Sequence, residues 1–284
     1  MTDERLYKSD HLIAETTLNP SNDTAIGRIN SRYLAPEETL KFIENQKAAA
    51  STDPLTNISI LGSTQRQWWK DTMSSSTSTW KIWGNEVSLL RMGLNGTNAI
   101  ATLIAVYRVS SLITDITDTA STTTGGNIPK AAAIIGATAF GADAGIAATA
   151  ADDIFTSDSG GGTNLDKTTA AISAGLTAVQ AEVAVAAFDS GETGTTEAAE
   201  TIAYNYIKPD IQANALTSTF FINSPFGPFV NIVSPFFKKF MLNADQWDGY
   251  RRERTELLNH LLSNGIQNVV AVTGDIHAFF AGEV

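Results

Sequence analysis

The sequence predicts an α/β fold in which a layered sheet is flanked by helices and interrupted by an inserted helical subdomain. Units of a helix followed by a strand recur near both ends of the 284-residue chain, as expected where helices cover a sheet. Between them, residues 114–216 are rich in Ala, Thr, Gly and Ser and contain few aromatic residues. Such a stretch supplies little buried area per residue, so it is expected to stand apart from the sheet. We therefore predict that the sheet-containing fold spans residues 1–113 and 217–284, and that residues 114–216 form the insertion.

The first helix is predicted to begin at about Pro36. A proline suits the first turn of a helix, and the two glutamates that follow it are favourable near a helix amino terminus, so the helix is predicted to run to about Lys47. Residues 57–61 alternate polar and apolar side chains. This pattern indicates a short strand or an extended lead-in to the next helix.

A second helix is predicted over residues 63–73, where Gln67 stands three positions after Thr64 and completes a capping box. Its apolar anchors are Trp68, Trp69 and Met73. The run Trp80–Asn85 is predicted to follow as a strand and turn. The helical and alternating spacing of the chain's tryptophans favours core packing over a carbohydrate-binding platform.

Three helical segments are predicted within the insertion, over residues 130–155, 167–188 and 196–207, separated by Thr/Gly-rich tracts. The insertion has few residues of catalytic type, so we do not expect it to carry chemistry, although a lid over the site is an alternative. No stretch is expected to reach the length of a membrane span. The longest candidate, residues 131–142, is bounded by two charged residues.

The last unit consists of a helix that is capped by Asp245 at its start and terminated by Gly265, followed by a buried strand over Val269–Val272. Gly274 then permits a sharp turn, and the next residues of chemical interest are Asp275 and His277. A carboxylate and an imidazole on one turn could bind a hard cation. The alternative interpretation makes the aspartate a turn residue and the histidine a hydrogen-bonded core residue.

Composition and charge exclude several classes of protein. The formal net charge is −11 and the isoelectric point is about 4.7, which argues against a nucleic-acid-binding protein. An acidic protein also depends on bound cations to attract an anionic substrate. The absence of cysteine excludes disulfides, thiolate nucleophiles and cysteine-ligated zinc from this chain.

Four sequence blocks, in order, resemble the PhoD-type alkaline phosphatases and phosphodiesterases. They are Asp3–His11, Leu61–Trp69 together with Thr79–Val87, Asp245–Arg254 and Gly274–His277. Four blocks in the family's order are a far more specific signal than the final tetrapeptide alone. The resemblance implies a calcineurin-like metallophosphoesterase fold and metal-dependent hydrolysis of phosphate mono- or diesters.

The resemblance also implies site residues and cofactors. Asp275 and His277 match the family's carboxyl-proximal motif and are expected to be metal ligands with a catalytic role, and the family's site contains iron and calcium. Asp248 matches an acid close to the metals, although an acid three residues after Asp245 could equally stabilise the first turn of the helix predicted there. Asn85 resembles a Gly-Asn metal motif, but its place in the family's order favours a turn, with a side chain that faces the site as the alternative. Arg5 could bind a phosphate or form a local ion pair.

The family's amino-terminal metal motifs do not stand ahead of Asp3, so the chain is expected to be an internal fragment of a longer enzyme. By resemblance, that enzyme would be secreted, periplasmic or at the cell surface and would scavenge phosphate. The alternative function is a non-catalytic binding or structural protein at the cell surface, built on a degenerate phosphatase scaffold.

Overall fold

The structure is a computed structural model that describes residues 1–4, 7–13, 34–274 and 282. The chain divides into two compact units. The first consists of Met1–Gly96 and Lys238–Val284, and the second consists of Thr97–Phe237. The predicted insertion, residues 114–216, lies inside the second unit, which extends beyond it on both sides.

The described strands lie towards the two ends of the chain, and helices fill the region between them. Before the second unit the elements are β1 (Ala35–Pro36), α1 (Glu37–Ala49), α2 (Gly62–Ser75), β2 (Lys81–Asn85) and β3 (Gly93–Asn95). The helices that follow are α3 (Gly96–Thr122), α4 (Ile128–Ala139), α5 (Ala144–Ser159), α6 (Asn164–Ser173), α7 (Ala178–Gly191), α8 (Thr195–Ile202), α9 (Lys208–Asn214), α10 (Thr219–Ile222) and α11 (Val230–Val233). A π-helical turn, Ala203–Ile207, joins α8 to α9. The last elements are β4 (Lys239–Met241), α12 (Arg251–Ser263) and β5 (Val269–Thr273).

The fold is mixed α/β, and its described strands form two small sheets. One contains three antiparallel strands in the order β1-β4-β3, and the other is the parallel pair β2-β5. A single layered sheet flanked by helices is not seen among these strands. In β5, Val270 and Val272 are 43% and 56% exposed. The prediction of a buried strand was therefore wrong. The strand is exposed because, in the described part of the chain, β2 is the one strand that pairs with β5.

Aromatic side chains form the core of the first unit where α2, β2 and the approach to α12 meet. The rings of Trp69 and Trp83 lie 4.8 Å apart between centroids, and those of Trp83 and Trp247 lie 5.8 Å apart. All three are buried, which confirms the core-packing prediction for them. It was wrong for Trp68 and Trp80, which are 49% and 64% exposed.

The first helix and the β2 strand were predicted within two residues of their observed ends. The capping box on Thr64 is absent: α2 begins at Gly62 with no side-chain cap, and Gln67 Nε2 donates instead to Asp71 Oδ1 at 2.8 Å. Residues 57–61 form a turn and bends rather than a strand or an extended lead-in, and Leu61 already has helical backbone angles. The carboxylate of Glu253 accepts the backbone N–H groups of Ile60 and Leu61, so these groups have no need of a strand partner.

The helix predicted to begin at Asp245 begins instead at Arg251. A tight turn precedes it, in which a methyl group added at Gly249 would lie 1.7 Å from the carbonyl oxygen of Ala244. Asp245 therefore does not cap the helix, and its Oδ1 lies 2.6 Å from His11 Nδ1. Gly265 has φ +62° just beyond the helix, as its predicted role in helix termination requires.

Two of the three predicted helical segments in the second unit are helical hairpins. Gly141 (φ +84°) separates α4 from α5, and Gly175 (φ +111°) separates α6 from α7. Only glycine adopts such a conformation without strain. Helices α4 and α7 pack closely at Gly136. A methyl group added there would lie 3.1 Å from Ala187 Cβ. The buried Lys167 ammonium pairs with Asp158 and Asp189, and these two carboxylates raise its pKa even though burial acts to lower it.

Helix α3 is long and apolar enough to cross a membrane by length and composition alone, with a mean hydropathy of 1.5 over an 18-residue stretch. The expectation that no stretch reaches that length was wrong because this helix begins before the Ala-rich region. Ile104, Leu112 and Ile116 lie on one face of α3 and are buried in the core of the second unit. A core helix of a soluble protein can have the same length and composition, so the absence of a transmembrane segment stays a prediction.

Candidate functional site

Of the three predicted metal ligands, Asp248 lies among the described residues. Asp275 and His277 lie outside them, as does Arg5. The structure therefore describes the residues that precede Asp275 and those that pack around Gly274. The candidate site is described from these residues.

The parallel strands β2 and β5 end at the same edge, where Asn85 is paired with Thr273. Polar residues that follow parallel strands meet at such an edge. A methyl group added at Gly274 would lie 4.0 Å from the carbonyl oxygen of Glu86, and one added at Gly282 would lie 3.3 Å from Leu90 Cδ2. The described residues on either side of the predicted metal-binding turn thus both lie against residues 86–90.

Asn85 is buried at this edge, and both ends of its amide have protein partners. Its Nδ2 donates to the carbonyl oxygen of Val87 at 2.5 Å, and its Oδ1 accepts from Trp247 Nε1 at 3.3 Å. These contacts fix the turn that leaves β2. They are the contacts expected of the turn role that the sequence favoured.

Glu4 is a buried residue of this edge that sequence reasoning missed, with a relative exposure of 2%. The Thr2 hydroxyl donates to its Oε1 at 2.5 Å, and the Glu86 N–H donates to its Oε2 at 2.7 Å. Burial raises the pKa of Glu4 to about 7, against the opposing effect of these hydrogen bonds. The available signal was the position of Glu4 in the first of the four blocks.

The amino-terminal segment is attached to β2 and α2 by several hydrogen bonds. The Thr2 N–H donates to the Gly84 carbonyl oxygen at 2.9 Å, and Trp83 Nε1 donates to the Thr2 hydroxyl at 2.9 Å. Asp3 exchanges two bonds with the Gln65 side chain, at 2.9 and 2.7 Å. Two of the sequence blocks are therefore joined directly in the fold.

Asp248 lies in the turn before α12 and is 5% exposed. Its Oδ2 accepts from the Met92 N–H at 2.8 Å, and its Oδ1 lies 3.6 Å from Arg91 Nε. Burial raises the pKa of Asp248, against the hydrogen bond from Met92 and the charges of Arg91 and Arg254. Arg254 Nε donates to the Leu89 carbonyl oxygen at 2.9 Å. Arg91 therefore pairs with Asp248 itself, and Arg254 binds the same stretch of backbone, residues 89–92, that Asp248 binds.

The described residues do not form a metal site by themselves. Among them, no group of three or more His, Cys, Asp or Glu side chains could hold a metal ion. The Asp248 carboxylate, the one predicted ligand described, faces a backbone N–H and a guanidinium group. These are partners of a structural carboxylate rather than of a cation ligand.

An open cleft of about 440 Å³ lies elsewhere in the first unit, between the loop at Asp53 and one side of α12. Two of its charged side chains have protein partners: Asp53 contacts Arg66, and Arg252 donates to Asn45 Oδ1. None of the predicted site residues lines this cleft.

Comparison with known families defines the class of protein. The model of the PhoD-like phosphatase family matches residues 1–284, so the chain belongs to this family. The resemblance read from the four blocks is thereby confirmed, and the family suggests phosphoester hydrolysis.

A more particular similarity is to alkaline phosphatase D of Bacillus subtilis (strain 168). The two chains are 42% identical over 42 residues, which is 15% of this chain and 7% of that protein. No solved structure matches the chain.

Proposed function

We propose that this chain carries part of a metal-dependent phosphoesterase that hydrolyses phosphate mono- or diesters. The family match over residues 1–284 is the single observation that carries the proposal. The parallel edge at Asn85 and Thr273 supports it, because the Gly-Asp-Ile-His block begins directly beyond that edge. We further propose that β2 and β5 belong to a larger layered sheet in the active enzyme.

The proposed metal ligands are Asp275 and His277, an oxygen ligand and an imidazole ligand suited to hard and borderline cations. By family resemblance the metals are iron and calcium. When bound, such ions offset the negative charge of a phosphoryl group and activate water. A chain with a formal net charge of −11 has particular need of them to attract an anionic substrate. We also propose export from the cytoplasm, on the family resemblance alone.

The test is hydrolysis of nitrophenyl phosphate and bis-nitrophenyl phosphate by this chain and by the longest natural protein that contains it. Turnover that disappears after chelation and returns with added metal is the expected result for the active form. Full turnover after exhaustive removal of metal would show that the metal dependence is wrong. A natural protein that binds no metal and hydrolyses neither ester would instead be the non-catalytic scaffold.

A further inference from the structure

We propose that Glu4 and Asp248 are positioning residues for the predicted metal-binding turn. Each would act by holding one end of residues 86–92, which we call the bracing segment. The proposal rests on the proposed function in one respect only, that the Gly274–His277 block carries metal ligands. The position of the bracing segment itself is independent of that function.

The bracing segment is held at both ends by a buried carboxylate. At its start the Glu86 N–H donates to Glu4 Oε2 at 2.7 Å, and at its end the Met92 N–H donates to Asp248 Oδ2 at 2.8 Å. Its middle is held by packing, since Val87 and Leu89 are 7% and 4% exposed in the core around the three tryptophans. The segment is therefore fixed at three points.

Carboxylates are suited to this task because of where the segment runs. It leaves β2 and has not yet entered β3, so neither of the end N–H groups has a partner in these sheets. A buried N–H without an acceptor is costly, and a carboxyl oxygen accepts a hydrogen bond in either protonation state. Thr2 and Arg91 orient the two carboxylates through their other oxygens.

The bracing segment lies against the described residues on both sides of the predicted turn. Gly274 is next to the Glu86 carbonyl oxygen, and Gly282 is next to the Leu90 side chain. A displacement of the segment would therefore move the neighbours of both glycines. Ligand geometry tolerates displacements of only a few tenths of an ångström.

Asp248 is better placed to position the turn than to bind a metal. Its oxygens face the Met92 N–H and the Arg91 guanidinium, and Arg254 adds a second nearby positive charge. A cation bound to the same carboxylate would be repelled by both arginines. Arg91 is itself held by a hydrogen bond to Glu37 Oε1 at 3.0 Å.

The first experiment measures amide hydrogen exchange on the 284-residue chain. Glu4→Ala and Asp248→Ala should each accelerate exchange about tenfold or more both in the bracing segment and in the peptide covering residues 269–284. Glu4→Gln and Asp248→Asn keep an acceptor oxygen and should retain most of the protection. If an alanine variant does not fold, Thr2→Val provides a milder test, because it removes the hydroxyl that orients Glu4.

The matched control is Glu253→Ala. Glu253 is also a fully buried carboxylate that accepts backbone N–H groups, but it binds residues 60–61 rather than the bracing segment. Glu253→Ala should accelerate amide exchange in residues 59–66 without selectively accelerating it in residues 269–284. If Glu253→Ala does not fold, Ser59→Ala serves as the control. If the Glu4 and Asp248 variants loosen the bracing segment while residues 269–284 exchange as in the parent chain, the positioning role is wrong.

The second experiment separates a positioning residue from a ligand, in the longest natural protein that hydrolyses a nitrophenyl ester. Asp248→Asn should keep metal content and turnover within about threefold of the parent, whereas Asp248→Ala should lose both more severely. Loss of metal by Asp248→Asn as complete as that caused by Asp275→Asn would overturn the proposal. If no form of the protein binds metal or hydrolyses ester, the proposed function fails, and the exchange experiment still decides whether Glu4 and Asp248 hold the turn in place.

Discussion

Glu4 and Glu86 exchange hydrogen bonds in both directions. The Glu86 N–H donates to Glu4 Oε2 at 2.7 Å, and the Glu4 N–H donates to Glu86 Oε2 at 3.4 Å. The pairing brings two carboxylates together at the carboxyl end of β2. Burial is the main reason why the pKa of Glu4 is raised, and the negative charge of Glu86 adds to the effect.

The raised pKa predicts a specific dependence of stability on pH. The pKa of Glu4 is about 7 in the folded chain against 4.5 ordinarily, so the folded state binds the proton more tightly than the unfolded state. This contribution is fully present below about pH 4.5 and is lost as the pH rises through about 7. It amounts to at most about 3 kcal/mol.

Glu4→Gln removes this titration. As the pH rises from 5 to 8, the free energy of unfolding of the variant should therefore increase relative to that of the parent chain. Urea unfolding at both pH values measures the difference. Glu38→Gln, an exposed carboxamide substitution on α1, is the control and should give no comparable change. An equal effect of Glu4→Gln at both pH values would contradict the raised pKa.

The predicted ligands should affect chemistry rather than folding. In an active natural protein, Asp275→Asn and His277→Ala should each lower turnover by at least about a hundredfold with the melting temperature nearly unchanged, because each removes a proposed metal ligand. Metal content should fall with turnover. Thr273→Val, an exposed substitution at the end of β5, serves as the control. Near-normal turnover with full metal content in either ligand variant would exclude the assignment.

The second unit should be removable at its structural ends. Joining Gly96 to Lys238 through a short Gly-rich turn deletes Thr97–Phe237 and should leave the first unit folded, since β3 and β4 remain paired. Deleting residues 114–216 instead keeps the first two-thirds of α3 and removes much of the core that covers Ile100 and Ile104. That variant should aggregate. Circular dichroism and size-exclusion chromatography distinguish the two outcomes, and a soluble, monomeric 114–216 deletion would contradict the expectation.

Close packing of α4 on α7 should make Gly136 intolerant of larger side chains. An added Cβ there lies 3.1 Å from Ala187 Cβ and 3.2 Å from the Val183 carbonyl oxygen. Gly136→Val should therefore destabilise the second unit by about 1–3 kcal/mol through overpacking. Thr149→Val, on the exposed face of α5, is the matched control. Equal melting temperatures for the two variants would show that the helices can separate at little cost.

Local sequence patterns predicted the elements of the first unit better than their partners. The apolar alternation of Trp80–Asn85 and the run after Asn268 each predicted a strand. That these strands pair in parallel could not be read from either pattern, because the pairing joins residues about 190 apart in sequence. The exposure of β5 was missed for the same reason.

The candidate site shows the same division between local and distant causes. The four blocks predicted site residues in the Gly-Asp-Ile-His motif and at Asp248, but Glu4 stands in a run of charged residues that a local reading leaves at the surface. Its burial depends on hydrogen bonds to residues 82 positions away. The start of α12 was misplaced because the contact between Gly249 and Ala244 has no periodic signature.

The antiparallel pairing of β3 with β4 has a consequence for the order of folding. Gly96 N–H donates to the Lys238 carbonyl oxygen at 2.8 Å, so the two strands form a hairpin whose loop is the whole second unit, residues 97–237. Closing a disordered loop of about 140 residues costs about 3 kcal/mol more than closing a four-residue turn. Prior folding of the second unit would bring the two strand ends together and remove most of that entropy cost. The chain should therefore form this hairpin late, after the helices between its strands have assembled.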